Sequence, residues 1–181
     1  MPRHLSSVWG VIYMARRDTS LEAEGAEFLV CGQLLIEGIV AYKAYTGTAG
    51  YDVLAVDSSS GRSARVQVKS RWASDARQQF PIKNTDCDFV VYVRLNRGSK
   101  RKSDAPEKSD PEFFILPIAS VQSVRRNDGW GIAQVGKIAA LEDHRNAWNL
   151  IREYIAAGPS LGRESEENRN PTPGTLSPGA P

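Results

Sequence analysis

Asp52, Gln67 and Lys69 have the types and spacing for one particular chemistry. They fall in the stretch Tyr51 to Ser70, where two short apolar runs flank the turn Ser58-Ser-Ser-Gly61. In an extended strand, residues two apart share a face. Gln67 and Lys69 therefore project together, while Val66 and Val68 point the other way, toward a core. A carboxylate, an amide oxygen and an ammonium meeting at a hairpin are expensive to take out of water. A divalent cation and a phosphate between them make the arrangement sensible, because hard cations prefer oxygen ligands and the ammonium neutralises phosphate charge. The competing reading is a strand whose Arg65, Gln67 and Lys69 simply alternate toward water, as in many antiparallel sheets.

The elements that must position these groups follow from the surrounding pattern. Thr19 or Ser20 makes a fair N-cap, with Glu22 and Glu24 in the first turn, where the helix dipole favours carboxylates. A helix is expected over Leu21 to Glu37, stopping at Gly38. At about 100° per residue, Glu27 shares a face with Val30, Cys31, Leu34 and Leu35, while Glu22, Gln33 and Glu37 lie opposite on what reads as the solvent face. Glu27 is thus expected to face the core or a cleft, either near a metal or in a buried ion pair with an Arg or Lys. Strands are expected at Ile39–Tyr45, Tyr51–Asp57, Arg62–Ser70, Asp88–Leu95 and Glu112–Leu116. Polar loops fill 71–86 and 96–111, a helical turn follows Pro117, and Leu141 to Ala157 has an amphipathic helical pattern. Val8 to Met14 is a short apolar patch suited to an edge strand or to packing on the core. A helix leading into an antiparallel meander, with later strands completing a mixed sheet, predicts a single-domain α/β sandwich.

Composition is compatible with this. The chain has 181 residues, enough for one domain with a real core, with 41% hydrophobic and 24% charged residues and a formal net charge of +2. Bulk charge therefore announces no nucleic-acid binder. The distribution says more than the sum. Cys31 and Cys87 sit in apolar contexts without CxxC spacing, and read as reduced core residues of a cytoplasmic protein. No signal peptide is evident and no apolar run approaches a membrane span. His4 and His144 are far apart in sequence, and no Ser/His/Asp or Cys/His arrangement emerges. From Gly158 onward, Pro, Gly, Ser and Glu dominate, which predicts a disordered tail over 158–181.

The order of Glu27 in a first helix, Asp52 at a strand start and Gln67-Val-Lys69 on the next strand resembles the PD-(D/E)XK nuclease superfamily. More narrowly it resembles the small single-domain branch that includes archaeal Holliday junction resolvases and predicted restriction-type endonucleases. The likeness covers about residues 20 to 118, including Arg65-Val-Gln-Val-Lys-Ser70 and the later pair Cys87 to Leu95 and Phe113 to Ile118. Three departures stand out, one being that the tail after Gly158 has no counterpart in the core fold. Gly50-Tyr51 takes the place of the Pro before the Asp, and Gln67 replaces the usual Glu or Asp. The resemblance implies a restriction-endonuclease-like α/β/α sandwich with a central mixed five-stranded sheet over residues 20–157, preceded by an extension over 1–19. It implies a metal-dependent endonuclease acting on DNA, of restriction, repair or junction-resolving type. Mg²⁺ or Mn²⁺ would be held by Asp52, Gln67, the Val68 carbonyl and Glu27, with Lys69 orienting water. Arg71, Trp72, Arg77, Lys83, Arg97, Lys100, Arg101 and Lys102 would contact nucleic acid, although charged loops are common in any protein. A homodimer and a separate specificity or helicase partner are further expectations, with no membrane partner. The alternative is a catalytically silent relative that binds nucleic acid or protein.

Overall fold

The computed structural model describes residues 19–45, 50–99 and 108–157. The expected edge strand at 8–14, the cluster Lys100, Arg101 and Lys102, and the tail at 158–181 lie outside the described residues.

Helix α1 spans Thr19–Ile36. It ends because Gly38 takes the left-handed conformation (φ 76°), which lets the Ile39 N–H donate to the Leu34 carbonyl and the Gly38 N–H to the Leu35 carbonyl, a Schellman stop. The chain then runs through β1 (Val40–Lys43), β2 (Val53–Val56) and β3 (Ser63–Arg71), followed by β4 (Phe80–Pro81), β5 (Phe89–Arg94) and β6 (Glu112–Pro117). After these come α2 (Ile118–Ser123), β7 (Ile132–Ala133), two 3₁₀ turns and α3 (Asn149–Ala157).

The central sheet has five strands in the order β1-β2-β3-β5-β6. Its pairs are antiparallel except β3 with β5, which are parallel from Val66↔Phe89 to Arg71↔Arg94. The mixed five-stranded sheet is thus the one expected from sequence. Alternation along β3 and β5 gives the sheet two apolar faces. Val66, Val68, Val91 and Val93 pack with Ala26, Val30 and Leu34 of α1 and with Trp148, Ile151 and Ile155 at α3. Val90, Tyr92, Phe114 and Leu116 pack on the other side with Phe80, Ile82, Val121, Ala133 and Val135. The result is an α/β/α sandwich whose second layer mixes α2 with a two-stranded ribbon, β4 paired with β7. No helix among the described residues is long and apolar enough to cross a membrane.

Two differences from the sequence reading have physical causes. The loop expected at 71–86 contains β4, because Phe80 and Pro81 pair with Ala133 and Ile132, a contact too distant in sequence for local pattern to reveal. The long final helix is broken. Leu141–His144 is a 3₁₀ turn entered through Ala140 at φ 51°, and Asn146 is also left-handed. The backbone between them is taken by the sheet, since Arg145 bridges Phe114 and the Asn146 N–H donates to Phe113.

Candidate active site

The site is built where β2 stops and β3 continues. Pairing of β2 with β3 ends at Val53↔Val66, so residues 67–71 are laddered to β5 alone and their other flank is open. Asp52 stands at this fork. Its backbone N–H donates to the Val66 carbonyl at 2.9 Å, and its carboxylate accepts the Val68 N–H at 2.7 Å. The N–H and C=O of one strand residue point the same way, so the Val68 carbonyl also opens onto this flank. The sequence thus places Asp52 by two backbone bonds, one on each side of Gln67.

Gln67 lies on the face covered by the second core and is only 9% exposed. Burial removes the reading in which Arg65, Gln67 and Lys69 alternate toward water. The Gln67 Oε1 is buried with no donor. Leaving such an acceptor unmet costs about 1–3 kcal/mol. Lys69 lines a cavity of about 760 Å³ that wraps the open edge of β3, between the first turn of α1 (Thr19, Glu22, Ala23) and β4 (Phe80, Pro81).

Glu22, not Glu27, is the helical carboxylate at this cavity. Its Oε1 accepts from the Ser70 hydroxyl at 3.4 Å, and its Oε2 is buried without a donor. Glu27 instead binds Lys43 at 2.9 Å, a cation shared with Glu24 at 3.0 Å. Hydrogen bonds from Glu27 first, then Glu24, raise the Lys43 ammonium above its ordinary range. Glu27 therefore takes the ion-pair role that the sequence left open. Apolar residues surround α1, so the helical wheel alone does not single out its buried side. The buried line is Ala26, Val30 and Leu34, and Glu22 is one turn before Ala26 on that same line. An acidic residue four positions before an apolar i, i+4, i+8 series was the signal that could have found it.

The basic candidates divide. The Arg71 guanidinium donates to the Gln79 carbonyl (2.9 Å from Nε) and to the Ser70 carbonyl (3.0 Å), so it staples the loop leading to β4. Arg94 is likewise engaged, with Glu112 at 3.0 Å and the Ser74 carbonyl at 3.0 Å. Trp72 lines the cavity while packing partly against the first core. Arg77 lines the cavity and is exposed, Lys83 is exposed beyond β4, and Arg97 is half-buried with its N–H on the Trp72 carbonyl at 2.9 Å. Both cysteines are free, and burial pushes the Cys87 thiol up to about 11.

Among the described residues, no three His, Cys, Asp or Glu side chains gather as a metal site. A cation at this edge would find the Asp52 carboxylate, the Gln67 amide oxygen and the Val68 carbonyl along β3, and Glu22 of α1 reaches the same strand at Ser70. All are hard oxygen donors, and Gln67 and Glu22 each carry a buried oxygen with no donor. That donor set fits Mg²⁺ or Mn²⁺.

No protein-family model matches the chain, and no curated protein matches it. Among solved structures the chain is similar to a bacterial homing endonuclease, I-Ssp6803I, with a TM-score of 0.53 and 19% sequence identity, over 78% of this chain and 97% of that one. At that identity the likeness speaks for the fold: a nuclease-like α/β sandwich.

Proposed function

We propose that this chain is a Mg²⁺- or Mn²⁺-dependent endonuclease of the PD-(D/E)XK kind, hydrolysing phosphodiester bonds in DNA at the open edge of β3. The nuclease unit spans residues 20–157, with 1–19 and 158–181 as appendages. The observation that carries the reading is the donorless, buried Gln67 Oε1, on the residue between Val66 and Val68 that hold Asp52 and two positions before Lys69, which lines the cavity.

A divalent cation held there supplies Lewis acidity toward a phosphate and makes bound water more acidic. The residues do the rest. Asp52 is oriented by the Val68 N–H, which leaves its other carboxylate oxygen for the ion. Gln67 contributes a neutral oxygen, so the site has one negative charge fewer than its Glu-containing counterparts, and Glu22 restores that charge. Lys69 orients the attacking water and offsets phosphate charge. Arg77, exposed at the cavity, and Lys83, exposed beyond β4, meet the DNA backbone with the salt dependence of phosphate contacts, and Trp72 offers an aromatic edge to an unpaired base. The departure at position 67 favours one rival, a relative that binds DNA without cutting it. A separate specificity or helicase partner is compatible with either.

Supercoiled plasmid and branched DNA incubated with the protein and Mg²⁺ or Mn²⁺ separate the two. Cleavage by the wild type, absent with chelator and in Asp52→Ala and Lys69→Ala, is the expected result. Binding without cleavage assigns the silent module, and neither binding nor cleavage overturns the nucleic-acid reading.

A further inference from the structure

Helix α1 is apolar on both sides, although one side alone meets its own sheet. Away from the core, Leu21 (71% exposed), Phe28 (52%) and Ile36 (79%) stand out with Leu29 and Leu35, and Tyr45 continues the patch from the end of β1. A helix that is hydrophobic all round is normally buried all round. An aromatic side chain carries about 150–250 Å² and Leu or Ile somewhat less, so the six exposed portions offer on the order of 600–700 Å², near the roughly 800 Å² per partner of a stable interface. That exceeds the apolar patch most monomers leave in water.

Two features identify what fits it. The first is Gly25 and Gly32, which share the stripe. A Cβ at either would meet nothing within 4 Å, so nothing described in the chain requires glycine there, and glycine weakens a helix interior relative to alanine. The second is the order of the stripe. About a two-fold axis between Phe28 and Leu29, an antiparallel second α1 sets Gly25 opposite Gly32, Leu21 opposite Ile36 and Phe28 opposite Leu29. That is the self-complementarity an isologous dimer needs, and facing glycines let the two backbones approach.

Charge does not oppose it. The three charged residues of α1 are Glu22, Glu24 and Glu27. Glu22 lines the cavity, and Glu24 and Glu27 are held by Lys43. The Lys43 ammonium also lies 5.4 Å from the Phe28 ring and 4.6 Å from the Tyr45 ring, which fixes both as anchors.

We propose that the outer face of α1 is a two-fold interface with a second copy of this chain, formed by antiparallel packing of α1 on α1. The inference stands independently of the nuclease reading, since it uses none of the cavity residues.

Sedimentation velocity on the full chain, in dilution from the upper micromolar range, tests it. The wild type is expected to be a dimer, Phe28→Glu a monomer with unchanged far-ultraviolet circular dichroism, and the double variant Gly25→Leu/Gly32→Leu at least tenfold weaker in dimerisation despite its better helix formers. Should Phe28→Glu fail to fold, the glycine variant and the wild type decide the matter. A wild type that stays monomeric overturns the proposal, whether its stripe is solvated or shielded by residues 1–18 of the same chain. So does a dimer that survives both sets of substitutions.

Discussion

Gln67 is the residue at which stability and the proposed activity part company. A buried amide oxygen without a donor weakens the apo fold, and an apolar side chain of similar length relieves it. Gln67→Met is expected to raise stability by about 1 kcal/mol in chemical denaturation while abolishing cleavage. A loss of stability would show that Gln67 is satisfied within the protein. Glu22 and Glu27 form a second contrast, five positions apart on one helix. Glu22→Gln is expected to lower cleavage at least a hundredfold with little change in stability. Glu27→Gln is expected to keep cleavage and to lose about 1–2 kcal/mol, because Lys43 is buried and loses one of its two carboxylates. Denaturation curves and cleavage rates of the two variants read this out together.

At the scale of elements, the parallel pairing of β3 with β5 begins at a polar clamp. The Arg65 N–H and the Asp88 carboxylate meet at 2.8 Å, and Tyr154 of α3 donates to the same carboxylate at 3.0 Å. Burial alone would raise the Asp88 carboxyl, but the hydrogen bonds from Arg65 and Tyr154 outweigh it and hold the group below the usual carboxylate range. Glu112 behaves alike: burial pushes it up, and Arg145 and Asn96 draw it further down. A carboxyl lowered on folding contributes stability that is complete above its unfolded value, about 4, and is lost as the pH falls through the folded one. Asp88→Asn is therefore expected to cost about 2–3 kcal/mol at neutral pH and to flatten the loss of stability below about pH 4. An unchanged acid limb would remove Asp88 from this role. The five main strands and α1 were legible in sequence because each carries its own apolar period and its own stop, such as Gly38. The β4–β7 ribbon was not, since its two short strands pair across about fifty residues with no local period. The break before α3 was hidden for the same reason: pairing of Arg145 and Asn146 with β6 overrides a good helical pattern. At the candidate site, the strand spacing singled out Asp52, Gln67 and Lys69, all of which lie on or beside β3. The α1 carboxylate at the cavity, Glu22, was hidden because a second apolar stripe on α1 turns the wheel toward Glu27, which pairs with Lys43 instead.

For the whole molecule, the open edge of β3 and the outer stripe of α1 are separate surfaces, so assembly and chemistry should be separable. A dimer through α1 makes thermal stability depend on concentration. The wild-type Tm is expected to rise on concentrating the protein, and that of Phe28→Glu to stay fixed. A concentration-independent wild-type Tm would argue against assembly. The central claim, however, concerns the edge where β2 stops: the proposal is that Asp52 and Gln67, with Glu22 from α1, hold a divalent cation there. Titration of Mn²⁺ into the apo protein, followed by calorimetry or electron paramagnetic resonance, tests this without needing the right DNA. The account predicts one site per chain, weakened at least tenfold in Asp52→Asn and Glu22→Gln and unchanged in Glu27→Gln. A wild type that binds no Mn²⁺, or a site lost in Glu27→Gln and kept in Glu22→Gln, would contradict it.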